Sequence, residues 1–222
     1  MRAIGLAAVA ALAVSAPFGG GAAGKPVTTT KIVNYTVSAS TASGLDSEMA
    51  SLGPYHGSER AYANIVVRPN YDGKLVQGRI CRLENFKVTA GFTMTLPVLA
   101  RGTKLTKTLN SQWKSFANFA RRHEETHRTI WLECLAKAER RALALRVADC
   151  GTLSREVDKV FETEWQICER RQQAFDAAER TKLMRHPLIV AASRVKQTTT
   201  TTTSLSTRSN SNSRSFPHLG RN

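Results

Sequence analysis

His123-Glu124-Glu125-Thr126-His127 has the form H-E-x-x-H. On a helix, residues four apart share a face, so both imidazoles can reach a single Zn²⁺. The glutamate beside the first histidine then stands where it can hold and deprotonate a water on that ion, as general base. The chain has only 5 histidines, so this spacing seldom arises by chance. The plainer reading is two surface histidines on a charged helix, and the flanking pattern argues against it. Trp113, Phe116, Ala120, His123, His127, Ile130, Trp131, Cys134 and Ala138 recur at steps of three and four. That is the apolar stripe of a core-facing helix, and the histidines continue it, so they point inward. Buried imidazoles need partners, and a metal satisfies both. Arg122 and Glu125 are charged where zinc proteases of this type carry uncharged residues. The motif is thus stronger evidence for a metal than for proteolysis.

Such a site needs elements to position it. Residues 31–40 are β-rich and predict a strand. Residues 45–52 predict a short helix stopped by Gly53-Pro54. Residues 62–68 predict a strand ending at Pro69, followed by a turn at Asn70-Tyr71-Asp72-Gly73. Residues 75–90 and 92–96 predict further strands on either side of Gly91, with Pro97 closing this half. Helical periodicity then runs over about 107–147, breaks at Asp149-Cys150-Gly151-Thr152, and resumes over about 153–184 before Pro187. Strands first and helices second predict an α+β domain. A small antiparallel sheet would pack on a long two-helix hairpin carrying the H-E-x-x-H, a zincin-like arrangement.

The hairpin constrains the four cysteines, Cys81, Cys134, Cys150 and Cys168. An even count in an oxidising compartment suggests two disulfides; free, buried thiols are the alternative. If the helices fold back near Cys150-Gly151, Cys134 and Cys168 fall level, which predicts Cys134–Cys168 and, by elimination, Cys81–Cys150. A four-cysteine zinc site is disfavoured because there is no C-x-x-C. Glu179 follows Cys168 by as many residues as His123 precedes Cys134, close to three helical turns. Glu179 is therefore the predicted third metal ligand beside His123 and His127. Asp176, one turn earlier, is the alternative ligand or a partner steadying a histidine ring. His186 is a further candidate. An oxyanion donor could come from Tyr35, Tyr55, His56, Tyr62 or His186, and the sequence does not choose among them.

The ends differ from the middle. Residues 1–24 begin Met-Arg, continue as an apolar run and end in small residues, which predicts a secretory signal peptide cleaved near Ala23. The run is short for an uncleaved membrane anchor. Residues 25–189 form one domain of ordinary size. Residues 190–222 are rich in Thr, Ser and Asn and predict a disordered basic tail. It carries Arg194, Lys196, Arg208, Arg214 and Arg221 with no acid, part of a net charge of +15. Such a tail suits weak attraction to an anionic envelope surface. A single aromatic, Phe216, lies among the basic residues, too little for a stacking platform, so specific nucleic-acid binding is disfavoured.

Several of these residues together resemble the bacterial family of predicted secreted zinc-dependent proteases, first described as a domain of unknown function. The resemblance covers most of residues 33–189. It rests on Tyr35-Thr36-Val37, Gly53-Pro54, Tyr62-Ala63, Cys81 and Leu96-Pro97. It continues with Trp113 and Phe116 ahead of His123-Glu124 and His127, then Cys150 with Leu153, and Phe175-Asp176 near the end of the second helix. The family usually continues with Thr and then His-Gly after that Asp; this chain has Glu179 and Thr181 there, and Thr126 where a Gly often precedes the second His. The resemblance implies a metallopeptidase and identifies no substrate. The expected function is an exported zinc metallopeptidase with one Zn²⁺ per chain and Glu124 as general base. The alternative is a non-catalytic, metal-stabilised periplasmic or envelope binding protein. A basic adaptor for wall polymer, lipid or nucleic acid comes third.

Overall fold

A computed structural model describes residues 25–56 and 59–194, the side chains of His56 and Glu59 excepted. The expected signal peptide and most of the basic tail lie outside the described residues. Strand β1 (Val27–Val37) leads into helix α1 (Ala42–Leu52), and β2 (Tyr55–His56) and β3 (Glu59–Arg60) form a small ribbon. Strands β4 (Asn64–Gln77) and β5 (Cys81–Leu99) follow, then helices α2 (Lys107–Ala144) and α3 (Cys150–Met184). A short helix α4 occupies residues 187–194. The class is α+β, as expected.

The sheet is mixed, not antiparallel. Its order is β1-β5-β4, with β4 antiparallel and β1 parallel to β5. The reason is the chain path. The tight β4–β5 hairpin puts β5 beside β4, and β1 then pairs with the far edge of β5, Val27 opposite Thr89 through Val37 opposite Leu99. One row earlier on β5, the Val88 N–H donates to the buried Glu139 carboxylate of α2 at 3.3 Å, so that donor is satisfied where β1 stops.

Alternation along β5 buries Val88, Ala90, Phe92, Met94 and Leu96 on one face. That face packs against α2, which offers Trp113, Phe116, Ala120 and Trp131 to the same core. Burying one such aromatic contributes about 1.5–3 kcal/mol, so the α2–sheet interface dominates the core. Polar caps hold the helix starts: Thr41 Oγ1 accepts from Gly44 N, Thr106 Oγ1 from Leu109 N, and Asp149 Oδ1 from Thr152 N.

Several boundaries differ from expectation: β1 spans Val27–Val37 instead of 31–40, and the strand expected over 75–90 is divided by the β4–β5 turn at residues 78–80. Strand β4 continues through Pro69 and Gly73 to Gln77, so residues 70–73 are strand and not a turn. Proline is tolerated because β4 is an edge strand. At Gly73 a register shift lies between Asp72 and Lys74, and a Cβ there would come within 2.6 Å of Phe86 Cδ2, so only glycine fits the crossing. Strand β5 runs unbroken through Gly91. Residues 190–194, expected in the tail, complete α4, because Pro187 opens a last helical turn and Leu188, Ile189 and Ala192 are buried.

Both disulfides join the expected pairs. Cys134 and Cys168 tie α2 to α3 with Cα atoms 6.1 Å apart, and Cys81 and Cys150 tie the hairpin tip to the α2–α3 turn with Cα atoms 5.2 Å apart. A Cys81–Val147 bridge and a bond from Gln77 Nε2 to the Ala148 carbonyl hold the same tip.

Candidate metal centre

The α2 stripe and the facing side of α3 bring together His123, His127 and Asp176. His123 Nε2 lies 3.1 Å from Asp176 Oδ1, His127 Nε2 lies 3.0 Å from the same oxygen, and the two nitrogens are 2.9 Å apart. Three lone-pair donors thus form a triangle of nearly equal sides. A tetrahedral ion with bonds of about 2.0–2.1 Å has ligand separations of about 3.3 Å, so the triangle is a slightly contracted face of such a site.

With both rings neutral, as ligands must be, hydrogen bonding alone does not account for it. Gln172 Nε2 donates to the His127 main-chain carbonyl at 3.1 Å, which turns its Oε1 toward His127 Nδ1. His127 Nδ1–H therefore donates to Gln172, and neutral His127 presents a bare Nε2 to the centre. That leaves at most one hydrogen, on His123 Nε2, to serve three close contacts. A cation at the centre would be met by all three lone pairs, so the donor set fits a metal ion.

Burial and the neighbouring charges shift the groups of this cluster in different directions. Burial opposes the His127 imidazolium, but its bond to Asp176 and the Glu124 and Asp176 carboxylates outweigh that and hold its pKa above the usual histidine value. At His123 burial wins over Asp176, aided by repulsion from His127, and the pKa is lowered. Burial pushes Asp176 up, but the two imidazoles overcome this and hold it below the ordinary aspartate value. Glu124 is 0% exposed, and neither of its oxygens is hydrogen-bonded among the described residues. Desolvation pushes it up to about 8.

Glu179, the first-choice third ligand, is not in the group. Its carboxylate pairs with Lys182, and it acts on His123 only as a nearby charge. Asp176, the alternative, holds the third position. With Cys134 and Cys168 level, Asp176 falls level with the gap between the two histidines, so one short carboxylate reaches both. Glu179 is one turn further along.

Three of the five candidate oxyanion donors, Tyr35, Tyr62 and His186, are committed elsewhere. The Tyr35 hydroxyl donates to the Tyr62 carbonyl at 2.7 Å, and the Tyr62 hydroxyl to Asp46 at 2.6 Å. Tyr55 is exposed under Arg60. His186 Nδ1 accepts the Leu188 N–H at 3.3 Å, so its neutral ring carries hydrogen on Nε2 and donates to Ser115 Oγ at 3.2 Å. Ser115 and His186 are therefore not a nucleophile and its base. The His56 side chain is outside the description.

One site residue, Gln172, escaped the sequence reading, and Phe175, named there beside Asp176, was given no role. Gln172 lies one turn before Asp176, so the i, i+4 spacing on α3 was the available signal. Phe175 packs over both imidazoles, with ring centroids 4.8 Å from His123 and 5.0 Å from His127. An aromatic beside a candidate ligand gives no such signal on its own.

Two disulfides fit a protein folded in an oxidising compartment outside the cytoplasm. Among the described residues no helix is long and apolar enough to cross a membrane. No curated protein and no solved structure matches the chain. One family model does, that of bacterial protein of unknown function (DUF922), over residues 32–184. With well over half its length covered, the chain belongs to the DUF922 family.

Proposed function

We propose that this is an exported zinc-dependent metallopeptidase that hydrolyses peptide bonds, with His123, His127 and Asp176 as ligands and Glu124 as general base. The supporting observation is the triangle of two imidazole nitrogens and one carboxylate oxygen with an unbonded carboxylate next in sequence to one ligand. Two imidazoles and a carboxylate suit zinc, leaving a fourth position for water or substrate. Zinc bound there would supply Lewis acidity, polarising a carbonyl and easing ionisation of water. The chain's own residues do the rest. Gln172 fixes the His127 ring so that Nε2 faces the centre. Asp176 supplies negative charge that both rings share. Glu124, with nothing else bonded to its oxygens, is placed to take a proton at Oε and return it to the leaving amine. Residues 1–24 are proposed as the export signal, and the cationic tail as a loose hold on anionic envelope surfaces.

A second reading has its own support. Glu124 is 0% exposed and Phe175 covers both rings, as in a closed, structural metal site within a non-catalytic binding protein. Glu124→Gln separates the two. In the enzyme, the variant keeps one zinc per chain by metal analysis and loses peptide hydrolysis by at least 100-fold. Metal-loaded wild type inert toward a broad peptide library, with zinc retained, would establish the structural site instead.

A further inference from the structure

One turn beyond His127, the same face of α2 opens into a groove of about 690 Å³ between α2, α3 and edge strand β4. Two close aromatic pairs line it, one stacked and one tilted. Trp131 lies against Trp165 and Tyr71 against Phe161, each with ring centroids 4.2 Å apart. Trp131 is 1% exposed, yet its indole N–H meets no acceptor among the described residues. The carboxylates of Asp158 and Glu162 also line the groove. Lys159 is matched by Glu156, while Glu164 carries two cations, Lys137 and Arg141, which leaves one excess positive charge against the two carboxylates of Asp158 and Glu162. On a strongly basic chain, this groove presents negative charge beside aromatic rings.

We propose that the groove binds a cationic polypeptide segment. A lysine or arginine side chain of the segment lies by Tyr71 and Trp165 against Asp158 and Glu162. Each part answers an observation. The alkyl stem covers apolar rings, and the cation meets carboxylates beside π-faces. Neither an acidic peptide nor a neutral glycan answers both. The groove runs along α2 from Trp131 to Ala138, about 6–16 Å past His127 by helical rise. An extended peptide advances about 3.3 Å per residue, so the bound side chain stands about two to five residues from a bond at the metal centre. The inference rests on the peptidase reading for its meaning as substrate selection, but the groove's affinity is measurable without turnover.

The test uses full-length, zinc-loaded Glu124→Gln protein and three end-blocked nonapeptides, one carrying arginines, one glutamates in the same places, and one neutral. Chitotetraose is the glycan probe. Binding is read by tryptophan fluorescence and calorimetry at two salt concentrations. The expected result is at least tenfold tighter binding of the arginine peptide, weakening with salt. Asp158→Asn/Glu162→Gln, which changes charge with little change of shape, should remove that preference and leave zinc content unchanged. Trp165→Ala should weaken all peptides, and the double variant keeps the test open if it misfolds. Equal affinity for arginine and glutamate peptides, an unaffected double variant, or binding of chitotetraose alone would overturn the proposal. Hydrolysis in wild type without any cationic preference would overturn the groove and keep the peptidase. Tight arginine-peptide binding by a protein that cleaves nothing would do the reverse.

Discussion

Gln172 does more for the centre than its neutral amide suggests. By bonding both the His127 carbonyl and its Nδ1–H, it locks ring position and tautomer together. Gln172→Leu should weaken zinc affinity about 10–100-fold, measured by competition with a chromogenic chelator, with the fold unchanged by circular dichroism. Asp176→Asn should cost more, because a ligand charge is lost, whereas Glu179→Gln should retain full zinc. The reverse order would return the third position to Glu179. The two histidines and the general-base candidate were legible in the sequence because the H-E-x-x-H spacing is itself the geometry. The third ligand was ambiguous because it depends on where two helices cross. Equal counts from the cysteine bridge placed Glu179 level with His123, but a shared ligand must stand level with the gap between the histidines, and Asp176 does.

At the scale of elements, the two long helices and the Cys134–Cys168 pair followed from sequence because both depend on local spacing along a hairpin. The sheet did not. Pro69 and Gly73 usually stop strands, but here one lies on a free edge and the other permits a close crossing over Phe86, so β4 passes through both. Parallel pairing of β1 was hidden for a similar reason, since register between distant strands leaves no local mark. Thr106 begins α2 by capping Leu109 N, and Thr106→Ala should destabilise the domain by about 1 kcal/mol in urea unfolding. Glu139 gives a pH-dependent test. Burial pushes its carboxyl above the ordinary value, outweighing the Val88 N–H bond and Arg140. Its folded pKa is thus raised, so the contribution to stability is full below the unfolded value of about 4.3 and is lost as pH rises through the folded value. Glu139→Gln keeps an acceptor for Val88 without the charge. Its melting temperature should match wild type near pH 4 and exceed it at pH 7. A constant difference across that range would refute the assignment.

For the molecule as a whole, the His123–His127–Asp176 triangle spans the two helices that Cys134–Cys168 clamps. Replacing that pair with serines should lower stability by about 2–5 kcal/mol and speed zinc loss to a chelator, because the α3 ligand is then free to drift from the α2 pair. The arrangement of both bridges has another result. Cys81 joins Cys150, and Cys134 joins Cys168, so the two covalent loops overlap. Every peptide bond between Cys81 and Cys168 is enclosed by at least one loop, and those between Cys134 and Cys150 by both. A single backbone scission anywhere in that stretch, the H-E-x-x-H included, leaves one molecule. A nicked chain would run at full length on a non-reducing gel and separate only with reductant, so damage in a proteolytic environment need not scatter the pieces.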